Sequence, residues 1–366
     1  MQAAKREKRR KSAGLAARRK LCYTVCGDFM TTIYLIRHAE AEGNIFRRAH
    51  GWYDSSVTRN GLRQIAALEK RFADVPIGAV YASDLIRTCT TAGALCRPKG
   101  LPLHREPRFR EVGMGVWEDV PFGQLAHDEP EALLLFTKSP QRWAVEGSER
   151  YEVFTGRFLQ ALDELAQRHA GQSIAVFSHG MILQNVLAKL FYNGDTARLG
   201  HCENTGVSKL RYENGVYHAE YFFDGSHLPA EISTVGRQSW RQQGITKCNF
   251  RYLPAGAGDA EFLRTLGYVP QADETVLLAY AEQTPAGAVA LRRADGRTGG
   301  IAFLALAPEF RGQGLAAQLL GCAVSAFRRE GMTELCLLQR PQGASARFFE
   351  SFCLLDNRVS LIPQIR

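Results

Sequence analysis

Short apolar runs, each ended by polar or charged residues, recur through the first two thirds of the chain. Ile33-Tyr34-Leu35-Ile36 stops at Arg37-His38, Ala79-Val80-Tyr81-Ala82 at Ser83-Asp84, and Ile174-Ala175-Val176-Phe177 at Ser178-His179. Runs of four β-prone residues predict buried strands. Between them the apolar spacing becomes helical. Thr58 is placed to cap a helix carrying Leu62, Ile65, Ala66, Leu68 and Phe72 on one face. Further helices are predicted from Pro130 to Phe136, from Glu149 to His169 and from Met181 to Leu190. Asn204 to Tyr212 and Val216 to Phe223 read as a hairpin about Glu213-Asn214-Gly215. The last third repeats the theme. A hairpin is predicted from Val276–Tyr280 and Ala288–Leu291 about Pro285-Ala286-Gly287, then a strand at Ile301–Leu306, a helix at Ala316–Arg329 followed by Gly331, and a strand at Glu334–Leu337. The alternation is that of an α/β protein.

At 366 residues the chain is long enough for two domains, and 45% hydrophobic with 23% charged residues describes a globular composition with ample core. No apolar run has the length that spans a bilayer, so no membrane partner is expected. The nine cysteines are odd in number and scattered, without a Cys-x-x-Cys pair. That pattern points to reduced thiols in a cytoplasmic compartment rather than to a disulfide or zinc framework. The net charge of +9 changes meaning once located. Residues 1–29 hold nine Lys/Arg against Glu7 and Asp28, a net +7, which leaves +2 for the rest. A nearly neutral remainder makes no nucleic-acid footprint.

The chemistry gathers at the strand ends. In an open α/β sheet, ligands bind beyond the carboxyl ends of the strands. An arginine can grip two phosphate oxygens as a planar fork, and a neutral imidazole can attack phosphorus. Arg37-His38 and His179 follow strands directly. Arg87 falls in the first turn of a helix that Ser83 or Asp84 would cap, whose start offers N–H groups to an anion. Glu111 adds a carboxylic acid from the glycine-punctuated loop Phe109–Glu118. Any one of these residues could be structural, Arg37 a surface charge and His38 a satisfied strand-end histidine. Three such groups converging on one sheet edge point to a phosphate site.

This region resembles the histidine phosphatase, or phosphoglycerate mutase-like, superfamily. The signature Arg-His-Gly-Glu-x-x-x-Asn stands here as Arg37-His38-Ala39-Glu40…Asn44, with Ala39 for the commoner glycine. Gly51-Trp52…Asp54, Ser83-Asp84-Leu85…Arg87-Thr88, Gly113…Trp117-Glu118, Gly147-Ser148-Glu149 and Ser178-His179-Gly180 follow in order over about residues 30–225. The resemblance implies a three-layer αβα sandwich. It also implies that His38 is the nucleophile, forming a phosphohistidine, and that Arg37, Asn44, Arg87 and His179 hold the phosphoryl oxygens. Glu111 would protonate the leaving oxygen and then activate water. Such a site takes no metal and no cofactor. The family's cofactor-dependent mutases carry a longer insert with a Glu-Arg-His-Tyr-Gly stretch between acid and second histidine. Here 68 residues separate Glu111 from His179 without such a stretch, which favours a phosphatase over a phosphoglycerate-type mutase. The substrate is a small phosphorylated metabolite, with sugar phosphates, nucleotide-type monoesters and cobalamin-precursor phosphates all open.

In the last third, a strand runs through Ala307-Pro308-Glu309-Phe310-Arg311-Gly312-Gln313-Gly314-Leu315-Ala316 into a helix. A glycine-bearing turn between strand and helix places N–H groups at a site suited to pyrophosphate. The stretch resembles the acetyl-CoA loop of GNAT N-acetyltransferases. By that resemblance, Arg311, Gly312, Gln313, Gly314 and Ala316 cradle the CoA pyrophosphate, and residues near Leu304 and Leu306 meet the pantetheine arm. The family usually has a Tyr followed by Gly-Phe near the next helix's end. This chain has Phe349 and Cys353-Leu354 there, and Phe349 has no hydroxyl with which to protonate a thiolate.

The expected layout is a basic disordered tail over 1–29, a histidine phosphatase domain over 30–225, a linker over 226–245 and a smaller GNAT-like α/β domain over 246–366. Three readings of the whole follow. The chain is a phosphomonoesterase fused to an acetyltransferase, a phosphatase carrying a non-catalytic acyl-CoA sensor, or a protein that reaches nucleic acid through its tail.

Overall fold

The computed structural model describes residues 30–237, 249–352, 354 and 359–361. The basic tail, residues 238–245 of the expected linker and Cys353 lie outside the described residues.

Strands β1 (Thr31–Arg37), β2 (Ala79–Ala82), β3 (Leu103–Arg105), β4 (Ser173–Ser178), β5 (Val207–Glu213) and β6 (Val216–Asp224) form one six-stranded sheet, ordered β3-β2-β4-β1-β5-β6. The first four strands pair in parallel, and β5 and β6 are added antiparallel. The helices are α1 (Glu42–Phe46), α2 (Arg59–Arg71), α3 (Ile86–Lys99), α4 (Phe122–Asp128), α5 (Pro130–Lys138), α6 (Tyr151–Arg168) and α7 (Gly180–Phe191). Alternation along β1 divides the core between two faces. Ile33 and Leu35 pack with Phe158 and Leu162 of α6 and Leu183 and Leu187 of α7. Tyr34 and Ile36 pack with Leu68 of α2 and Ala92 and Leu95 of α3. Covered on both sides, these strands read as unbroken apolar runs, and the layers are αβα as expected.

The second sheet is ordered β12-β11-β10-β9-β8-β7. It contains β7 (Phe250–Pro254), β8 (Thr275–Ala281), β9 (Thr284–Arg293), β10 (Thr298–Leu306), β11 (Glu334–Leu337) and β12 (Val359–Ser360). Helices α8 (Ala260–Thr265), α9 (Ala316–Arg329) and α10 (Gly343–Glu350) accompany it. Strand β11 pairs in parallel with β10 only from Thr298 to Ile301, whereas β9 follows β10 to Leu306. Beyond Ile301 the sheet opens on the β11 side, and Ala302 to Ala305 are half-buried there.

Local details differ from the sequence expectations. The β8–β9 turn is Glu282-Gln283, with Glu282 at φ 55°, and Pro285–Gly287 lie inside β9. Gly287 marks close backbone approach rather than a turn, since a Cβ there would meet the Ala305 carbonyl at 2.5 Å. By contrast, the β5–β6 turn is the expected Asn214-Gly215, both residues at positive φ. Helix α6 starts at Tyr151, two residues after Glu149, because Glu149 is tied to the Gly113 N–H and to Arg157. Residues 226–237, expected as part of a linker, fold back on the first domain. Asn60 and Gln64 donate to the Ile232 carbonyl, and Ser233 and the Val235 N–H bond Glu203.

The two sheets are joined through α1 and α9. Phe46 of α1 sits in the apolar core of the second domain, against Gly321, where a Cβ would come within 2.4 Å of it. Buried Arg48 donates to Asp119 at 2.6 Å and to Ser325 of α9 at 2.8 Å. Arg328 of α9 donates to Tyr53 Oη at 2.6 Å and to Glu42 at 3.0 Å. Among the described residues, no helix is long and apolar enough to cross a membrane.

Candidate active site at the strand ends

Because β2, β4 and β1 are adjacent and parallel, their carboxyl ends share one edge of the sheet. Arg37 stands opposite Ser178, and the His38 N–H donates to the Ser178 carbonyl at 2.9 Å. The residues after β1 and β4 are thereby locked side by side, with the His38 and His179 ring centroids 5.2 Å apart. Both rings are almost fully buried.

Nδ1 of His38 lies 2.7 Å from the Ala39 carbonyl. A carbonyl only accepts, so Nδ1 carries the proton and Nε2 keeps its lone pair. Burial pushes the His38 pKa well below the usual histidine range, and the cations of Arg87 and Arg37 push it the same way. The ring is thus a neutral imidazole with a nucleophilic nitrogen.

His179 is held at both nitrogens. Its Nδ1 accepts from Arg87 Nε at 3.1 Å, and Nε2–H donates to Ser83 Oγ at 2.9 Å. Burial and the Arg87 charge hold it neutral as well. Arg87 itself is fully buried, and most of its donors are engaged. It bonds the carbonyls of Tyr53 at 2.9 Å, Gly51 at 2.7 Å and His50 at 3.2 Å in addition to His179. Burial lowers its pKa to about 10, against the opposing pull of Asp54 and Glu111. In this arrangement Arg87 faces the loop 50–53 and His179 rather than an open cavity.

The helix start read as an anion site is already filled. The carboxylate of Asp54 accepts from the Ile86 N–H at 3.0 Å, so Asp54, from a distant loop, caps α3. Ser83 Oγ, besides its bond with His179, accepts from the Leu85 N–H at 3.4 Å, and Asp84 pairs with Arg110 instead.

Glu111 reaches the site from the loop before α4. Its carboxylate accepts from Ile182 N–H at 2.7 Å, Met181 N–H at 3.0 Å and its neighbour Val112 N–H at 3.0 Å. Two of these donors are at the N-terminus of α7, the helix that begins just after His179. Arg157 of α6 and the Trp52 indole fix the Glu111 carbonyl. Burial raises the Glu111 pKa above the ordinary carboxylate range, against the three N–H bonds and the Arg87 charge. A carboxyl group that favours keeping its proton is suited to general acid work.

Arg37 donates from Nη1 to the Cys202 carbonyl, while its buried Nε has no hydrogen-bond partner. Asn44 Oδ1 accepts from the Ala41 N–H at 2.9 Å and from Asn204 Nδ2 at 3.3 Å. Arg37 and Asn44 share a small cavity of about 60 Å³ with His201 and Asn204. Asn204 also donates to the His38 carbonyl at 3.0 Å and so ties Asn44 to the end of β1; Arg37 is half-buried there, whereas Arg87 is fully buried.

One residue of the cluster was missed. The His50 ring lies 6.1 Å from that of His38, and its Nδ1–H donates to the Arg48 carbonyl at 3.0 Å. Burial and Arg87 lower its pKa to about 3. Nothing in residue order singled it out; its place depends on Gly43, at which a Cβ would come within 2.4 Å of the His50 ring. Glu118 was visible only as a motif residue. It accepts from the N–H groups of Gly51, Trp52, Tyr53 and Met114 and so fixes the loop on which Arg87 rests.

In the second domain, the loop from Arg311 to Leu315 links β10 to α9. Gly312 and Gly314 take φ of 75° and 77°, the left-handed conformation that favours glycine. Arg311 is anchored by donation to the Leu306 carbonyl at 2.8 Å, and Gln313 by donation to the Glu309 carbonyl at 2.9 Å. Ala316 begins the helix. Phe349 is buried in the core, edge-on to Phe348. Among the described residues, no group of three or more His, Cys, Asp or Glu is arranged to hold a metal ion.

A probable phosphoglycerate mutase of Yersinia pestis is 30% identical over 185 residues, 50% of this chain and 86% of that protein. YhfR from Bacillus stearothermophilus superposes with a TM-score of 0.51 at 30% identity, over 54% of this chain and 98% of its own. A mycobacterial glucosyl-3-phosphoglycerate phosphatase shares the fold at 21% identity with a TM-score of 0.50, over 54% of this chain and all (100%) of its own. The model of the GNAT acetyltransferase family matches residues 239–353, and that of the histidine phosphatase superfamily (branch 1) matches residues 33–225. The chain belongs to the histidine phosphatase superfamily and carries a GNAT-family domain after its phosphatase-type domain.

Proposed function

We propose that the first domain is a phosphomonoesterase that works through a phosphohistidine on His38, acting on a small phosphorylated metabolite. The observation that carries this reading is the His38 tautomer. With Nδ1–H on the Ala39 carbonyl, Nε2 is the atom free to bond phosphorus. Nε2 attacks the phosphoryl group, the bond from phosphorus to the ester oxygen breaks, and Glu111 gives its proton to the leaving oxygen. Water then attacks the phosphohistidine and passes a proton to the Glu111 carboxylate, which releases inorganic phosphate and restores neutral His38. Arg37 supplies a fork. Asn44 completes the phosphoryl contacts, His179 joins them by exchanging the Ser83 partner of its Nε2–H for a phosphoryl oxygen, and Arg87 contributes its buried charge and orients His179. The positive field comes from side chains, so the reading requires no metal.

A mutase is the alternative for this domain, and the name of the Yersinia relative points that way. The two differ in where the phosphoryl group goes. Incubation with 3-phosphoglycerate and a panel of phosphate esters separates them: phosphate release supports the phosphatase, and isomerisation without release supports the mutase.

For the second domain we propose acetyl-CoA binding and N-acetyl transfer. The pyrophosphate would lie at the loop formed by Arg311, Gly312, Gln313, Gly314 and Ala316, and the pantetheine along the opened edge of β10. Buried Phe349 favours a second reading, an acyl-CoA-binding module without turnover, because it offers no proton to a thiolate. An acetyl-transfer assay over an amine panel decides between them. The domain limits of 30–225 and 246–366, with a connecting segment between, are part of the same proposal.

A further inference from the structure

A cavity of about 350 Å³ lies at the seam of the two domains, outside the His38 cluster. That volume is in the range of small-molecule sites. One wall comes from the phosphatase-type domain: Thr58, Arg59, Asn60 and Arg63 from the start of α2, with Arg47 and Arg237 beside them. The other wall is Gln313, Gly314 and Leu315 at the start of α9, with Phe348 and Phe352. Helices of 13 and 14 residues thus direct their N-termini into the same space. Both dipoles favour an anion there, and Arg47, Arg59 and Arg63 reinforce them, while Arg237 faces the carboxylate of Glu40 at 3.6 Å. The lining acid is Glu40, which is buried and bonded to Thr58, Asn60 and Thr234.

We infer that this seam cavity is the seat of the nucleotide end of coenzyme A, with Arg59 and Arg63 of the phosphatase-type domain binding its 3′-phosphate. The inference rests on the acetyl-CoA reading of the second domain. Gln313 and Gly314 of the pyrophosphate loop themselves line the cavity. A ligand held on that loop by its pyrophosphate, with its pantetheine on β10, therefore has its adenosine end beside this space. Phe348 and Phe352 offer aromatic surface to a base, and Arg59 and Arg63, one helical turn apart on α2, offer two forks to a phosphate dianion. The acyl-CoA site is then shared between the domains, and the fusion of the two families acquires a physical purpose.

Titration calorimetry of the full chain with CoA and with 3′-dephospho-CoA tests the inference, using wild type and the double variant Arg59→Ala/Arg63→Ala. The wild type should prefer CoA by about tenfold or more, the scale of one charge-assisted hydrogen bond. The variant should lose that preference while binding dephospho-CoA as the wild type does. Hydrolysis of p-nitrophenyl phosphate, unchanged in the variant, reports that the fold is intact. Undiminished CoA affinity in the variant overturns the seam site but leaves the acetyl-CoA reading standing, as does an equal loss for both ligands. A wild type that binds neither ligand overturns both.

Discussion

Arg328, near the end of the long helix of the GNAT-family domain, donates to the phenol oxygen of Tyr53 at 2.6 Å, and the carbonyl of that tyrosine accepts from Arg87. Arg87 in turn holds His179. A hydrogen-bonded path therefore runs from α9, whose other end carries the glycine loop, to the histidine cluster. Arg328→Ala should lower the unfolding free energy by about 1.5–3 kcal/mol, the scale of hydrogen bonds made by a charged group. It should also reduce kcat for phosphate release by freeing the loop on which Arg87 rests. Thermal unfolding and steady-state kinetics on one preparation measure both effects. Wild-type values for each would show that α9 does not support the site.

Gly43 is occupied by its neighbour's ring. A Cβ there would sit 2.4 Å from the His50 imidazole, so Gly43→Ala must displace His50. The expected cost is about 1–3 kcal/mol of stability, as for other overpacked sites. Because His50 borders His38, kcat should fall as well. Gly258→Ala, where nothing lies near the added Cβ, serves as the control and should leave both quantities unchanged.

The pH dependence follows from two opposite shifts. His38 attacks only when neutral, and its pKa is depressed, so the acid limb of kcat/KM should fall below the ordinary histidine range. Glu111 must hold its proton for the first step, and its pKa is raised, so the basic limb should lie above the ordinary carboxylate range. Activity is then greatest at acidic pH and declines as Glu111 ionises. A profile that rises through neutrality with a pKa near that of free histidine would contradict both assignments.

Glu111→Gln cannot donate a proton but keeps the shape of the side chain. It should lower kcat/KM, which reports formation of the phosphohistidine, by about 10²–10⁴-fold for an alkyl phosphate, the usual contribution of a general acid. The loss should be much smaller for p-nitrophenyl phosphate, whose leaving group needs little protonation. Equal losses for the two esters would leave Glu111 a structural cap on α7.

The strand ends were legible because a strand buried on both faces writes itself as an apolar run, and the residue after it is placed by the sheet. That is why Arg37, His38 and His179 could be read directly. The partners of Arg87 could not. Local sequence offered Ser83 or Asp84 as the cap of α3, but Asp54 took the position from thirty-two residues away. Long-range competition of this kind leaves no local pattern. His50 was hidden for the same reason, since its role depends on Gly43 leaving room for a ring. The second domain was legible in its glycine loop and not in its β8–β9 turn, where a tight two-residue turn formed ahead of the Pro-Ala-Gly signal. Nothing in residue order announced that α2 and α9 would direct their first turns at one cavity.

Trapping the intermediate tests the central claim most directly. The full chain is mixed with a labelled phosphate monoester, quenched with alkali within the turnover time, digested and analysed by mass spectrometry. The account predicts one phosphoryl group on the peptide containing His38, acid-labile and absent from His38→Ala, which should also release no phosphate. A phosphoryl group on another residue, or undiminished turnover in His38→Ala, would contradict it.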